Sequence, residues 1–159
     1  MIVIINGSRN SGKSTVATLL AKRLPKTAHV EIDLLREFLR KYHLELTIPI
    51  NLENAVSITQ NLVKKKYNVI LNYCLREKDL NYLMKNLRKL KTSIFTITLK
   101  PSLKVALSNR GRILSKNDKT RIKEQYGKGL HHIPEAGLVV DSSNKSPADI
   151  VKIIASYIS

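Results

Sequence analysis

Residues Ile2–Ser14 read IVIINGSRNSGKS. Ile2 to Ile5 are four apolar, β-favouring residues, the length of a short buried strand. Gly7, Gly12, Lys13 and Ser14 then fit the spacing G-x-x-x-x-G-K-[ST], with Ser8, Arg9, Asn10 and Ser11 between the glycines and Thr15 opening a helical run. A loop that wraps a phosphate turns successive backbone N–H groups inward, and glycine permits the dihedrals this requires. Lys13 reaches such phosphates as a point charge, the Ser14 hydroxyl suits Mg²⁺, and a helix starting near Lys13 aims its positive end at the anion. The strand before the loop and the helix after it are the context that separates this pattern from an ordinary Gly/Ser turn.

Strands and helices alternate through the rest of the chain. Val16, Leu19 and Leu20 have helical spacing up to Pro25, and Ala28 to Ile32 form a second strand ending at Asp33. A helix is expected at or just after Asp33, a loop over Thr47–Asn51 around Pro49, and a helix over Leu52–Lys66. Further strands are expected at Asn68–Leu71, Ser93–Leu99 and Gly137–Val140. Helices are expected at Glu77–Lys91, at Ser102–Asn109 with Pro101 in the first turn, and from Pro147 through Tyr157. This pattern predicts an α/β three-layer fold with a five-stranded parallel sheet in the order 2-3-1-4-5. Ligands in such sheets lie beyond the carboxyl ends of the strands, so Asp33 and the phosphate loop should share one crevice. Residues 1–159 read as one domain, with Gly111–Gly129 a basic, mobile helical lid.

The chain has 159 residues and a formal net charge of +16, which points to an anionic partner: a nucleotide, or nucleic acid, unless the excess is a lysine-rich composition. No apolar run approaches the ~20 residues of a membrane span. Met1 runs directly into the first strand, so no signal peptide is expected, and the lone Cys74 suits a reducing, cytoplasmic setting.

Asp33 is the chief acid–base candidate, able to take a proton from an attacking hydroxyl or to organise Mg²⁺. Arg36 one turn on, and Arg76 after the third strand, are candidates for gripping an acceptor. Arg110 and Arg112 head a basic cluster suited to stabilising a transferring phosphoryl group, and the loop holding Ser143 to gripping a base. His131, His132 and Cys74 lack partners at recognisable spacing and read as loop residues and a small buried residue. Asn144-Lys145 is followed by Ser146-Pro147, so an N-K-x-D guanine motif is absent.

Together these residues resemble the small P-loop kinases of the nucleoside-monophosphate-kinase-like superfamily. Asp33-Leu34-Leu35-Arg36 is similar to the D-x-x-R segment of adenylate kinases and adenylylsulfate kinases. Arg76 falls where adenylate kinases have the arginine of D-G-F-P-R, although the segment here reads Asn72-Tyr73-Cys74-Leu75-Arg76. Zeta-type toxins and chloramphenicol, gluconate and shikimate kinases share the same architecture. The resemblance implies ATP and Mg²⁺ as cofactors, with transfer of the γ-phosphoryl group to a hydroxyl or phosphate of a small acceptor. A nucleic-acid-binding NTPase or polynucleotide-end kinase is the alternative. Asn72 stands where many such enzymes keep a Mg²⁺-organising Asp, which makes Asp33 the expected substitute.

Overall fold

The computed structural model describes residues 1–40 and 43–159; Lys41 and Tyr42, inside the expected acceptor stretch, lie outside the described residues. Five strands, β1 (Ile2–Gly7), β2 (Thr27–Glu31), β3 (Asn68–Asn72), β4 (Ile94–Leu99) and β5 (Leu138–Val140), form a parallel sheet in the order β2-β3-β1-β4-β5. The expected strand order is therefore the observed one.

β1 lies between β3 and β4, and all six of its residues are buried. Its alternation feeds two cores, because successive strand side chains point to opposite faces. Ile2 and Ile4 join the cluster that includes Leu52, Leu71 and Leu83, under α2 (Leu44–Lys64) and α3 (Glu77–Leu87). Val3 and Ile5 join the cluster that includes Leu20, Ile97 and Ile154, under α1 (Lys13–Arg23) and α6 (Pro147–Ile158). Each such buried aliphatic side chain contributes on the order of 1.5–3 kcal/mol. This central strand therefore holds the phosphate loop on the most firmly anchored part of the molecule.

Three local expectations need correction. Thr47–Asn51 is helical, inside α2, with Pro49 in the helix. The proline ring removes one intrahelical donor, but Ile48, Leu52, Ala55 and Val56 are all buried along one face, and that packing carries the helix through. The segment after β2 is a 3₁₀ helix over Ile32–Phe38, not an α-helix; only Ile32 and Leu35 are buried, three apart, as a three-residue turn demands. The helix expected over Ser102–Asn109 is only α4 (Leu103–Ala106), N-capped by Ser102, with Pro101 outside it.

The basic segment 111–129 contains α5 (Lys116–Tyr126), N-capped by Ser115. It is not a loose insert: Ala106, Leu114 and Ile122 make a third, small core, against which Leu107 and Tyr126 pack. These few apolar residues are hidden in a polar stretch, which is why composition alone suggests mobility.

Candidate active site

The phosphate loop is built by two constrained glycines. Gly7 has φ +148°, and a Cβ there would stand 2.5 Å from the Leu99 carbonyl oxygen. Gly12 has φ +93° and opens α1 with no side-chain cap, so the first N–H groups of that helix are left for a ligand. Lys13 is buried and its Nζ donates to the Ser8 carbonyl at 2.7 Å, curling back over the loop. The buried Ser11 Oγ has no hydrogen-bond partner. An uncapped helix end, a folded-back lysine and an orphaned hydroxyl fit a polyphosphate.

The loop tip is tied to the basic segment. Asn10, at φ 63°, donates through Nδ2 to the carbonyls of Ala106 and Ser108, both at 2.9 Å. The Arg9 N–H donates to Gln125 Oε1 at 2.7 Å, and the Arg9 side chain pairs with Asp118 at 2.6 Å. Arg112 approaches the same carboxylate at 3.8 Å, and Arg110 Nη1 donates to the Asn10 carbonyl at 3.5 Å. Hydrogen bonds from the Ser115 hydroxyl and N–H, with the charges of Arg9 and Arg112, hold the Asp118 carboxyl below the usual carboxylate range.

The carboxylate nearest Ser14 is not the expected Asp33. Ser14 Oγ donates to Glu31 Oε1 at 2.6 Å, while Asn72 Nδ2 donates to Ser14 Oγ at 3.3 Å and Asn72 Oδ1 meets His29 Nε2 at 2.5 Å. Glu31 and Asn72 are register partners at the carboxyl ends of β2 and β3. Asp33 lies two residues beyond the strand, on the 3₁₀ helix, rather than at its end. Sequence reading misses Glu31 because its signal is only a second carboxylate two residues before Asp33. The Ser14 hydroxyl and the Glu31 carboxylate are the hard oxygen donors that Mg²⁺ favours.

Arg9 to Thr15, Glu31, Asp33, Arg36, Arg76, Arg110 and Arg112 all line one cleft of 520 Å³. Asp33 and Arg36 pair at 3.0 Å. Arg76 pairs with Asp79 at 2.7 Å and Glu45 at 3.2 Å. Cys74 also lines the cleft and is half-buried rather than the buried residue expected, and His131, expected as a loop residue without a site role, lies there too. Gly7 and Ser8 are buried and do not line the cleft. Ser143 is not in the lining; its hydroxyl donates to Asp141 at 2.6 Å and accepts from the Ser102 N–H at 2.8 Å. Its neighbour Ser142 reaches the loop instead, at the Ser11 carbonyl, 3.4 Å away.

No protein-family model matches the chain, and no curated protein matches it. Solved structures match almost its whole length. The Mycobacterium tuberculosis APS kinase in complex with AMPPNP and APS aligns with a TM-score of 0.70 at 16% identity, covering 99% of this chain and 96% of that one. The fold is that of the small P-loop kinases. The Aquifex aeolicus shikimate kinase has the same P-loop kinase fold, with a TM-score of 0.63, 21% identity and coverage of 99% and 96%. So does the Deinococcus radiodurans tunicamycin resistance protein, at 0.66, 20%, 99% and 95%. At these identities the likeness is one of fold. Among the described residues, no helix is long and apolar enough to cross a membrane.

Proposed function

We propose that this protein is a phosphotransferase that moves the γ-phosphoryl group of ATP to a small-molecule acceptor. The observation that carries this reading is the shared cleft: the Ser14–Glu31 pair and the Asp33–Arg36 pair open into the same space as the phosphate loop. A nucleotide-binding loop alone serves many ends; a second group of polar residues facing it suits a second molecule.

The loop N–H groups and Lys13 hold the polyphosphate. Ser14 and Glu31 would hold Mg²⁺, which would supply positive charge against the phosphates. Asp33 orients the acceptor and takes its proton, and Arg36 and Arg76 shape the acceptor side. In the transfer, the acceptor oxygen forms a bond to the γ-phosphorus, the bond to the bridging oxygen breaks, and ADP leaves with that electron pair. Arg110, just before the lid segment 111–129, and Arg112, within it, oppose the charge that develops. The lone Cys74 accords with a cytoplasmic setting. No observation favours the polynucleotide reading over this one.

Calorimetric titration with AMPPNP and Mg²⁺, and ADP release with a panel of alcohols, nucleosides and monophosphates, test the proposal. The expected result is saturable binding and acceptor-stimulated ADP release, both lost in Lys13→Ala. AMPPNP binding no tighter than that of the variant would overturn it.

A further inference from the structure

The cations in the cleft are of two kinds. On the nucleotide side, Lys13 and Arg110 form no ion pair among the described residues; their contacts are the backbone carbonyls of Ser8 and Asn10. Both are available to an anion. On the facing side, Arg36 and Arg76 are each already held by a carboxylate three residues away.

Both pairings are built into the local backbone. The segment carrying Asp33 and Arg36 is a 3₁₀ helix, in which side chains at i and i+3 eclipse, so the two meet wherever that helix forms. Arg76 is the N-cap of α3, and Asp79 sits in its first turn. Asp79 Oδ2 accepts from both the Arg76 backbone N–H, at 3.2 Å, and the Arg76 Nε–H, at 2.7 Å, while Oδ1 accepts from Nη2 at 3.2 Å. Asp79 is buried, and the third edge of the guanidinium is held by Glu45. Taking Arg76 away for an incoming anion would leave a buried carboxylate without its counter-charge, which is strongly unfavourable.

The charge count follows. Asp33, Glu45 and Asp79 face Arg36 and Arg76, three negative charges against two positive, a balance of −1. On the nucleotide side Arg9, Lys13, Arg110, Arg112 and Arg121 line the cleft with Glu31, five against one, a balance of +4. A second anion beside the polyphosphate would meet net negative charge and no free guanidinium. Hydroxyl and ammonium groups would meet carboxylate oxygens that accept from them.

We infer that the phosphoryl acceptor is an uncharged or amine-bearing polyhydroxylated molecule, of the polyol, sugar or amino-sugar class, and that the phosphoryl group is received by a hydroxyl rather than by a phosphate. The inference rests on the phosphotransferase reading. In the step it implies, the hydroxyl oxygen bonds to the γ-phosphorus, ADP departs, and the hydroxyl proton passes to Asp33.

The test uses the full chain saturated with AMPPNP and Mg²⁺, so that the phosphate loop is filled, and titrates it with inorganic phosphate. Wild type is expected to bind phosphate weakly. Asp33→Asn/Glu45→Gln, at a half-exposed and an exposed position, releases Arg36 from Asp33 and is expected to bind it at least tenfold more tightly, and Arg36→Gln in that background to reverse the gain. A double variant no better than wild type, or tight wild-type phosphate binding that Arg36→Gln abolishes, would overturn the inference. In ATP turnover, glucosamine should exceed glucosamine 6-phosphate, and adenosine its 5′-phosphate, by tenfold or more in any pair that reacts; the reverse order would also overturn it. Failure to bind AMPPNP at all would instead sink the phosphotransferase reading.

Discussion

Ser14 and Glu31, the one opening α1 and the other ending β2, share a hydrogen bond of 2.6 Å. This contact places a carboxylate against the hydroxyl that follows the loop lysine, a place that Asn72 cannot fill with charge. Glu31→Gln keeps the shape and removes the charge. Turnover is expected to fall by roughly 10²–10³-fold, with the Mg²⁺ concentration for half-maximal rate displaced upward. Rates measured across a Mg²⁺ series check this, and an unchanged Mg²⁺ dependence would remove Glu31 from the role.

Lys13 is buried with its Nζ on the Ser8 carbonyl at 2.7 Å. Lys13→Ala should lower turnover by about 10²–10³-fold through loss of a positioned charge, while the protein stays folded, since Lys13 supports no ion pair among the described residues. Paired measurements of ATP turnover and thermal unfolding separate the two effects. A variant with near-normal turnover would contradict the loop assignment.

Gly137 has φ +65°, and a Cβ built there lies 1.9 Å from the Thr96 carbonyl oxygen, a backbone atom of β4. Gly129 has open space around it. Gly137→Ala should cost well over about 1 kcal/mol, at roughly 2–4 °C in Tm for each kcal/mol. Gly129→Ala should stay within about 0.5 kcal/mol of wild type. Equal melting temperatures for the two variants would show that the approach of Gly137 to β4 is not tight.

Asp118 is held below the usual carboxylate range, chiefly by the Ser115 hydroxyl and N–H, with Arg9 and Arg112 nearby. A carboxylate depressed in the folded state contributes stability above its unfolded pKa of about 4 and loses it as pH falls through the folded value. Wild type should therefore be more stable than Asp118→Asn at neutral pH by a constant margin, and that margin should shrink below about pH 4. Thermal unfolding from pH 3 to 7 measures it. A margin that widens in acid would contradict the sign.

The phosphate loop was legible in the sequence because its chemistry is local. The glycines, lysine and serine act through adjacent backbone groups, and the strand before them and helix after them are adjacent in the chain. The alternation that predicts a parallel sheet is legible for the same reason, since each element bears its own hydrophobic period. Where period and packing disagree, packing decides: Pro49 reads as a loop, yet the buried face of α2 carries a helix through it. The carboxylate that meets Ser14 was beyond sequence reading. Asp33 and Glu31 are two residues apart, and which of them meets Ser14 depends on where β2 ends and the 3₁₀ helix begins.

The same holds for the arginines. The sequence by itself determined a phosphate-binding loop and offered Arg36 and Arg76 as candidates to face it. Only the tertiary structure decided that they arrive with their charges already answered, by Asp33, Asp79 and Glu45. The physical reason is that a residue's identity states its charge, whereas helix type, helix start and the packing of α2 beside α3 determine which opposite charge reaches it first.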